Sequence, residues 1–174
     1  MFDPDHFKDY LSRLDLEALE DAPNKIDECE YFLALASAEP ARDRFRWLVS
    51  AFLGAAYSYF EMSALRAHFA FTDESGQNHP DQESLNVLRE YVGISQKVKD
   101  PGYVTTWGIH PTAAKLYEFR RGNTHHFPLS IMQSGPELPR DFHFGNMRGE
   151  GVAVLAFCRE SLRLMRDVRA RLDA

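Results

Sequence analysis

Between positions 45 and 62 the chain sets an apolar residue every three or four positions. Phe45, Leu48, Phe52, Ala55, Tyr59 and Met62 form the stripe, and Val49 and Ala56 widen it. A strand would alternate sides at every residue, so this spacing fits the 3.6-residue turn of an α-helix. It predicts one long helix over about 41–70. A helix of that length needs other apolar faces to cover it, which constrains the rest of the chain to be mostly helical. The run Gly54-Ala55-Ala56 predicts close approach of a neighbouring helix.

The flanking segments supply such faces. Phe7, Leu11 and Leu14, with Tyr10 beside them, have helical spacing within 5–20. Pro23-Asn24 breaks that helix and starts another, striped by Ile26, Cys29, Phe32, Leu33 and Ala36. Residues 73–81 read as a polar loop, and 84–92 as a short helix carrying Leu85, Leu88 and Val92. Residues 95–103 read as turn-rich, with Pro101-Gly102 as the turn. Pro111 suits the first turn of a helix, where its missing N–H is not needed. That helix carries Ala113 and Leu116, with Phe119 or Tyr117 beside them.

FPLSIMQ and DFHFGN flank SGPELPR, which predicts a small β-hairpin or irregular arm near 127–148. A last amphipathic helix spans Val152 to Leu172. Val154, Leu155, Cys158, Leu162 and Met165 form its apolar face. Arg159, Arg163, Arg166 and Arg169 lie elsewhere, as a solvated row with Glu160 and Asp167 as local partners. The expected fold is all-α: one domain over 1–174, an antiparallel bundle of about five helices.

Composition narrows the functional classes. The 174 residues are enough to bury a core without disulfides or metal staples. No apolar stretch approaches the roughly 20 residues that span a bilayer, and the acidic start lacks the pattern of a signal peptide. A cytoplasmic location and no membrane partner are therefore expected. Residues 1–39 carry 11 acids against 3 bases, which argues against a domain that coats nucleic acid non-specifically. Cys29 and Cys158 fit no metal spacing and sit in apolar helical patterns, so buried free thiols are expected.

The densest chemistry lies in one short segment. Arg120, Arg121, Asn123, His125 and His126 fall within seven residues. Arginine presents a fixed cationic fork that matches phosphate. Histidine can accept or donate a proton near neutral pH. Together they suit RNA cleavage without a metal: one group activates the ribose 2′-OH, another assists the leaving oxygen, and arginine stabilises phosphate charge. Simple anion binding would need the arginines alone. The plainer reading is a helix C-terminus decorated by cations and two loop histidines.

His125 and His126 are adjacent, about 100° apart on a helix, and chelate poorly as a pair. The other histidines show no ligand spacing such as HExxH. Neither a metal nor a cofactor is expected. No GxSxG elbow, P-loop or GxGxxG is present.

The stretch LYEFRRGNTHHFPL resembles the signature of HEPN domains, an Arg followed after four to six residues by His. Arg120 to His125 fits with four intervening residues, and Arg121 to His126 fits in a second register. Phe119 supplies the apolar residue before Arg120, which favours the first. Arg121 then stands where the family more often has Asn, Asp or His. Gly122 is a departure and implies a weakened helix inside the motif.

The resemblance implies Arg120 and His125 as catalytic residues, and Arg121, Asn123 and His126 as binding residues. It also implies a homodimer with a composite site across its interface, and a role in defence, toxin–antitoxin or stress biology as a metal-independent endoribonuclease. The alternative is a non-catalytic helical dimer that binds RNA, a nucleotide or a protein partner such as an antitoxin. Residues five apart on an ideal helix differ by about 140° in direction. Either a dimer or a break near Gly122 would therefore be needed to bring Arg120 and His125 together.

Overall fold

The computed structural model describes residues 24–68, 70–76, 78–97, 100–106, 109–125, 129–145 and 151–174. The helix expected over 5–20 lies outside them. The described part is mostly helical, with five helices and a small three-stranded antiparallel sheet. In chain order these are α1 (Asn24–Ser37), α2 (Arg42–His68), β1 (Phe71–Thr72), β2 (Asn78–His79), α3 (Gln82–Val92), β3 (Ile94–Lys97), β4 (Asp100–Thr106), α4 (Pro111–His125), β5 (Ile131–Gln133), β6 (Phe142–Phe144), β7 (Val152–Ala153) and α5 (Val154–Leu172). None of the described helices is long and apolar enough to cross a membrane.

The long helix predicted from the apolar stripe is α2. It packs against α1, α3, α4 and α5 and against strand β4. Its buried face is wider than the stripe, taking in Leu53, Tyr57, Phe60, Ala64 and Ala67 as well. That width follows from having helices on several sides. Ala55 and Ala56 are buried, but a Cβ added at Gly54 would meet nothing within 4 Å. The predicted close helix approach therefore does not use Gly54. Between α1 and α2, the Glu39 carboxylate accepts from the Ala41 N–H at 2.8 Å and from the Arg44 guanidinium at 2.7 Å. This ties the turn around Pro40 to the start of α2.

Two segments read as loop or turn are paired strands. Phe71 pairs with His79 and Thr72 with Asn78, enclosing the polar turn at Asp73–Gly76. β3 and β4 also pair antiparallel, and Pro101-Gly102 lies within β4 rather than at a turn. The register jumps there: Gln96 faces Val104, while Lys97 faces Asp100. Proline has no N–H to give a ladder, so an irregularity at this point is its ordinary place in a sheet.

α3 has caps at both ends that its apolar spacing does not reveal. The Asp81 carboxylate accepts from the N–H groups of Glu83 and Ser84, each at 3.1 Å. Gly93, at φ 60°, closes the other end by donating to the Arg89 carbonyl. These satisfy backbone groups that a helix end leaves open.

The hairpin expected near 127–148 is present as β5 and β6, and β7 adds a third strand to it. α5 therefore starts at Val154, two residues later than the spacing predicts. The Phe142 ring of β6 lies 4.6 Å from that of Phe45, joining the sheet to α2. Val154, Leu155, Cys158, Leu162 and Met165 are buried as expected, and the arginine row is exposed. Arg166 reaches across to Glu30 of α1 at 2.6 Å, and Glu160 accepts from Thr112 of α4 at 3.0 Å. Arg169 has a local partner, Asp173 four residues on, at 3.4 Å. The packing of α5 against α1 and α4 thus gives Arg166 and Glu160 partners far away in the chain.

Both thiols are buried and free, and Cys29 donates to the Phe52 carbonyl at 3.7 Å. Desolvation pushes the Cys29 thiol up to about 12 and raises Cys158 as well. Neither forms the reactive thiolate near neutral pH. Both should resist an aromatic disulfide reagent in the native protein and react stoichiometrically in denaturant. Rapid native labelling would contradict this packing. Phe45→Ala should cost about 3–5 kcal/mol in urea unfolding. Trp47→Ala should cost far less, since Trp47 is 63% exposed.

Candidate functional site

The candidate segment forms the second half of α4. His110 starts that helix: its carbonyl accepts from Ala114 at 2.9 Å, and its Nδ1 faces the Thr112 N–H at 3.3 Å. An imidazole nitrogen thus takes the capping role more usual for Asp or Ser. Pro111 occupies the first turn as expected. Thr112, Ala113 and Leu116 are buried, and the Thr112 hydroxyl donates to Glu160.

Phe119 secures the far end of this buried face. Its ring stacks on Phe144 of β6 with centroids 4.0 Å apart, and meets Phe157 of α5 edge-on at 5.2 Å. Phe144 and Phe157 also touch edge-on. Each such pair contributes about 0.5–1.5 kcal/mol beyond its buried area. The apolar residue before Arg120 is therefore an anchor that sets the rotation of the helix.

One residue on, about 100° around the helix, Arg120 turns toward α2. Its guanidinium carbon lies 4.3 Å from the centroid of the Tyr57 ring. Tyr57 is buried and lies 6.0 Å from the ring of Tyr117, one turn before Arg120. A cation over a tyrosine face gains roughly 0.5–2 kcal/mol, depending on exposure.

Glu61 completes the group, one turn beyond Tyr57. Partial burial raises its carboxyl above the usual range, opposed by the Arg120 charge and by a hydrogen bond from the Tyr57 hydroxyl. The seam between α2 and α4 thus gathers a cation, a carboxyl held partly out of water and two phenols.

Of the predicted site residues, Arg120 is half-buried in this seam and Arg121 is exposed. Asn123 and His125 lie on α4 as backbone positions. Their side chains, and the whole of His126, lie outside the described residues. The helix runs without interruption through Gly122 to His125, so a break near Gly122 is not what brings Arg120 and His125 together. Hydrogen bonding along α4 outweighs the roughly 1 kcal/mol that glycine costs in a helix interior. Arg121 and His125, four apart, accordingly share a face of α4, while Arg120 and His125 do not.

Tyr57 and Glu61 did not emerge as site residues from the sequence. A signal existed, because Glu61 is the only charged residue between Trp47 and Leu65. A single carboxylate in so apolar a helix asks for a cation from elsewhere in the fold.

Elsewhere, a groove of about 310 Å³ lies between α1 and the end of α5, lined by Asp27, Glu30, Arg166, Arg169 and Asp173. Both of its arginines are already paired, Arg166 with Glu30 and Arg169 with Asp173. Among the described residues no group of three His, Cys, Asp or Glu is placed to hold a metal ion. Comparison with known proteins brought no matching family model, no similar curated protein and no similar solved structure. The assignment of chemistry therefore rests on the residues themselves.

Because α4 is continuous, Gly122→Ala should keep the helix and raise stability by about 0.5–1 kcal/mol. Thermal unfolding followed by circular dichroism tests this. A clear loss of Tm would mean that position 122 needs a conformation alanine cannot take.

Proposed function

We propose that this chain is a HEPN-like antiparallel helical bundle that engages RNA through Arg120 and Arg121 and cleaves it without a metal through His125. The supporting observation is Arg120 held against Tyr57 on the helix that also carries Arg121 and His125. A guanidinium stacked on a ring face directs its N–H groups outward in its own plane, the geometry that meets an oxyanion. In the proposed reaction His125 removes the proton of a ribose 2′-OH. The 2′-oxygen then attacks the adjacent phosphorus, and the 5′-oxygen leaves with a proton from a second acid. Arginine stabilises the charge that builds on the phosphate. The products are a 2′,3′-cyclic phosphate and a 5′-hydroxyl end.

Arg120 and His125 lie about 140° apart on one helix, so a homodimer offers the means of assembling both groups around one phosphate. The same continuity of α4 favours a second reading. A single copy would bind RNA through its arginines and cleave nothing. The biological setting proposed for either is defence, toxin–antitoxin or stress response.

The test incubates mixed single-stranded RNA with purified protein in EDTA, beside His125→Ala and Arg120→Ala, with oligomeric state measured. Cleavage that survives EDTA and disappears in folded His125→Ala supports the nuclease. RNA binding that falls in Arg120→Ala and weakens steeply with salt, without cleavage, supports the binding module. Absence of both from folded protein overturns the proposal.

A further inference from the structure

The Tyr57 ring gathers two groups of α4. The Arg120 guanidinium carbon lies 4.3 Å from its centroid, and the ring of Tyr117 lies 6.0 Å away, tilted by 37°. Tyr57 itself is buried, whereas Tyr117 and Arg120 are each half-buried. The α2–α4 seam therefore brings part of an aromatic ring and a cation to the surface together. Tyr117 stands three positions before Arg120 and four before the exposed Arg121. Residues three and four apart are neighbours on a helix, about 5–6 Å between Cβ atoms. Both arginines thus lie one turn beyond the same ring.

A simple anion would need the arginines alone. A ring beside them suits a ligand that carries a flat apolar face next to its charge. A nucleotide is such a ligand: its base offers a π-face to an aromatic side chain, and its phosphate meets a guanidinium. We propose that Tyr117 is a base-stacking residue, on which one unpaired nucleobase of an RNA strand lies while the adjoining phosphate meets Arg120 and Arg121. This role rests on the proposed use of these arginines for RNA, and it names the form of RNA they take. In a duplex the base faces are stacked on one another and closed to a side chain, so only a single-stranded segment can use the ring. Tyr117, Arg121 and His125 follow at intervals of four along the unbroken helix and share one side of it. A base held on the ring therefore lines the following phosphates up along α4 toward position 125.

Anisotropy of a fluorescein-labelled single-stranded RNA measures this in a His125→Ala parent, which lacks the proposed cleavage. Tyr117→Leu keeps an apolar side chain against Tyr57 but offers no π-face. It should weaken Kd roughly five- to tenfold, while Tyr117→Phe should bind as the parent does. An abasic ribose-phosphate strand of equal length has the phosphates without the base faces, so Tyr117→Leu should cost it nothing. The slope of log Kd against log salt should stay the same in Tyr117→Leu, because no phosphate contact is lost. Arg121→Ala should lower that slope by about one.

Folded Tyr117→Leu that binds RNA as the parent does overturns the stacking role alone. So does a loss that is equal on the abasic strand, or one that comes with a lower salt slope, since either marks a ring that only positions the arginines. If Arg120→Ala and Arg121→Ala both leave RNA affinity unchanged, the site reading falls and takes the stack with it. Should Tyr117→Leu fail to fold, photocrosslinking of the parent to an RNA carrying 5-iodouridine decides. A crosslink mapped to Tyr117 supports the stack, and crosslinks only elsewhere, or none, overturn it.

Discussion

Burial of α2 is the constraint on which the rest of this structure depends. Every other described helix packs against it, and its buried residues run from Phe45 to Ala67. So large an apolar surface cannot face water, and covering it organises the chain. α1 folds back along it through Ile26 and Cys29, α5 contributes Cys158 and Met165, and α3 contributes Leu88. The small sheet reaches it through Phe142 on Phe45. The only charge along most of its length, Glu61, lies one turn beyond Tyr57, whose ring carries the Arg120 guanidinium.

The candidate site follows from that packing by a short chain of causes. Phe119 is fixed by Phe144 and Phe157, so the rotation of α4 is fixed. The next residue then lies toward α2, where the Tyr57 ring receives it. Burial strengthens each interaction by removing competing water, and it makes the Glu61 carboxyl harder to ionise. Arg121, exposed one position later, is suited to long-range attraction of an anion.

Much of the fold could be read from residue spacing. The helices from Ile26 to Ala36, Phe45 to Met62, Leu85 to Val92 and Val154 to Met165 follow from 3.6-residue periodicity, because burial of one face imposes it. The short hairpins could not be read so well. β1 and β2 hold two residues each, too few for an alternating pattern to show. Pro101-Gly102 looked like a turn because its chemistry is that of turns, whereas a register shift accommodates it within β4. At the site, Arg120 and Arg121 stood out by charge density. Tyr57 and Glu61 lie some sixty positions earlier, and no local pattern joins them to the motif.

The sequence by itself determined the helical class, the apolar faces, the buried thiols and the crowding of arginine and histidine near the end of one helix. These are local or compositional properties, set by side-chain chemistry within a few turns of chain. The tertiary structure alone decided which arginine is held in the seam and which remains exposed. It also decided that the motif helix continues through Gly122 and that Arg166 answers Glu30 rather than a neighbour on its own helix. Those outcomes depend on the rotation and approach of separate helices. Packing of residues far apart in the chain fixes both, and no single segment encodes them.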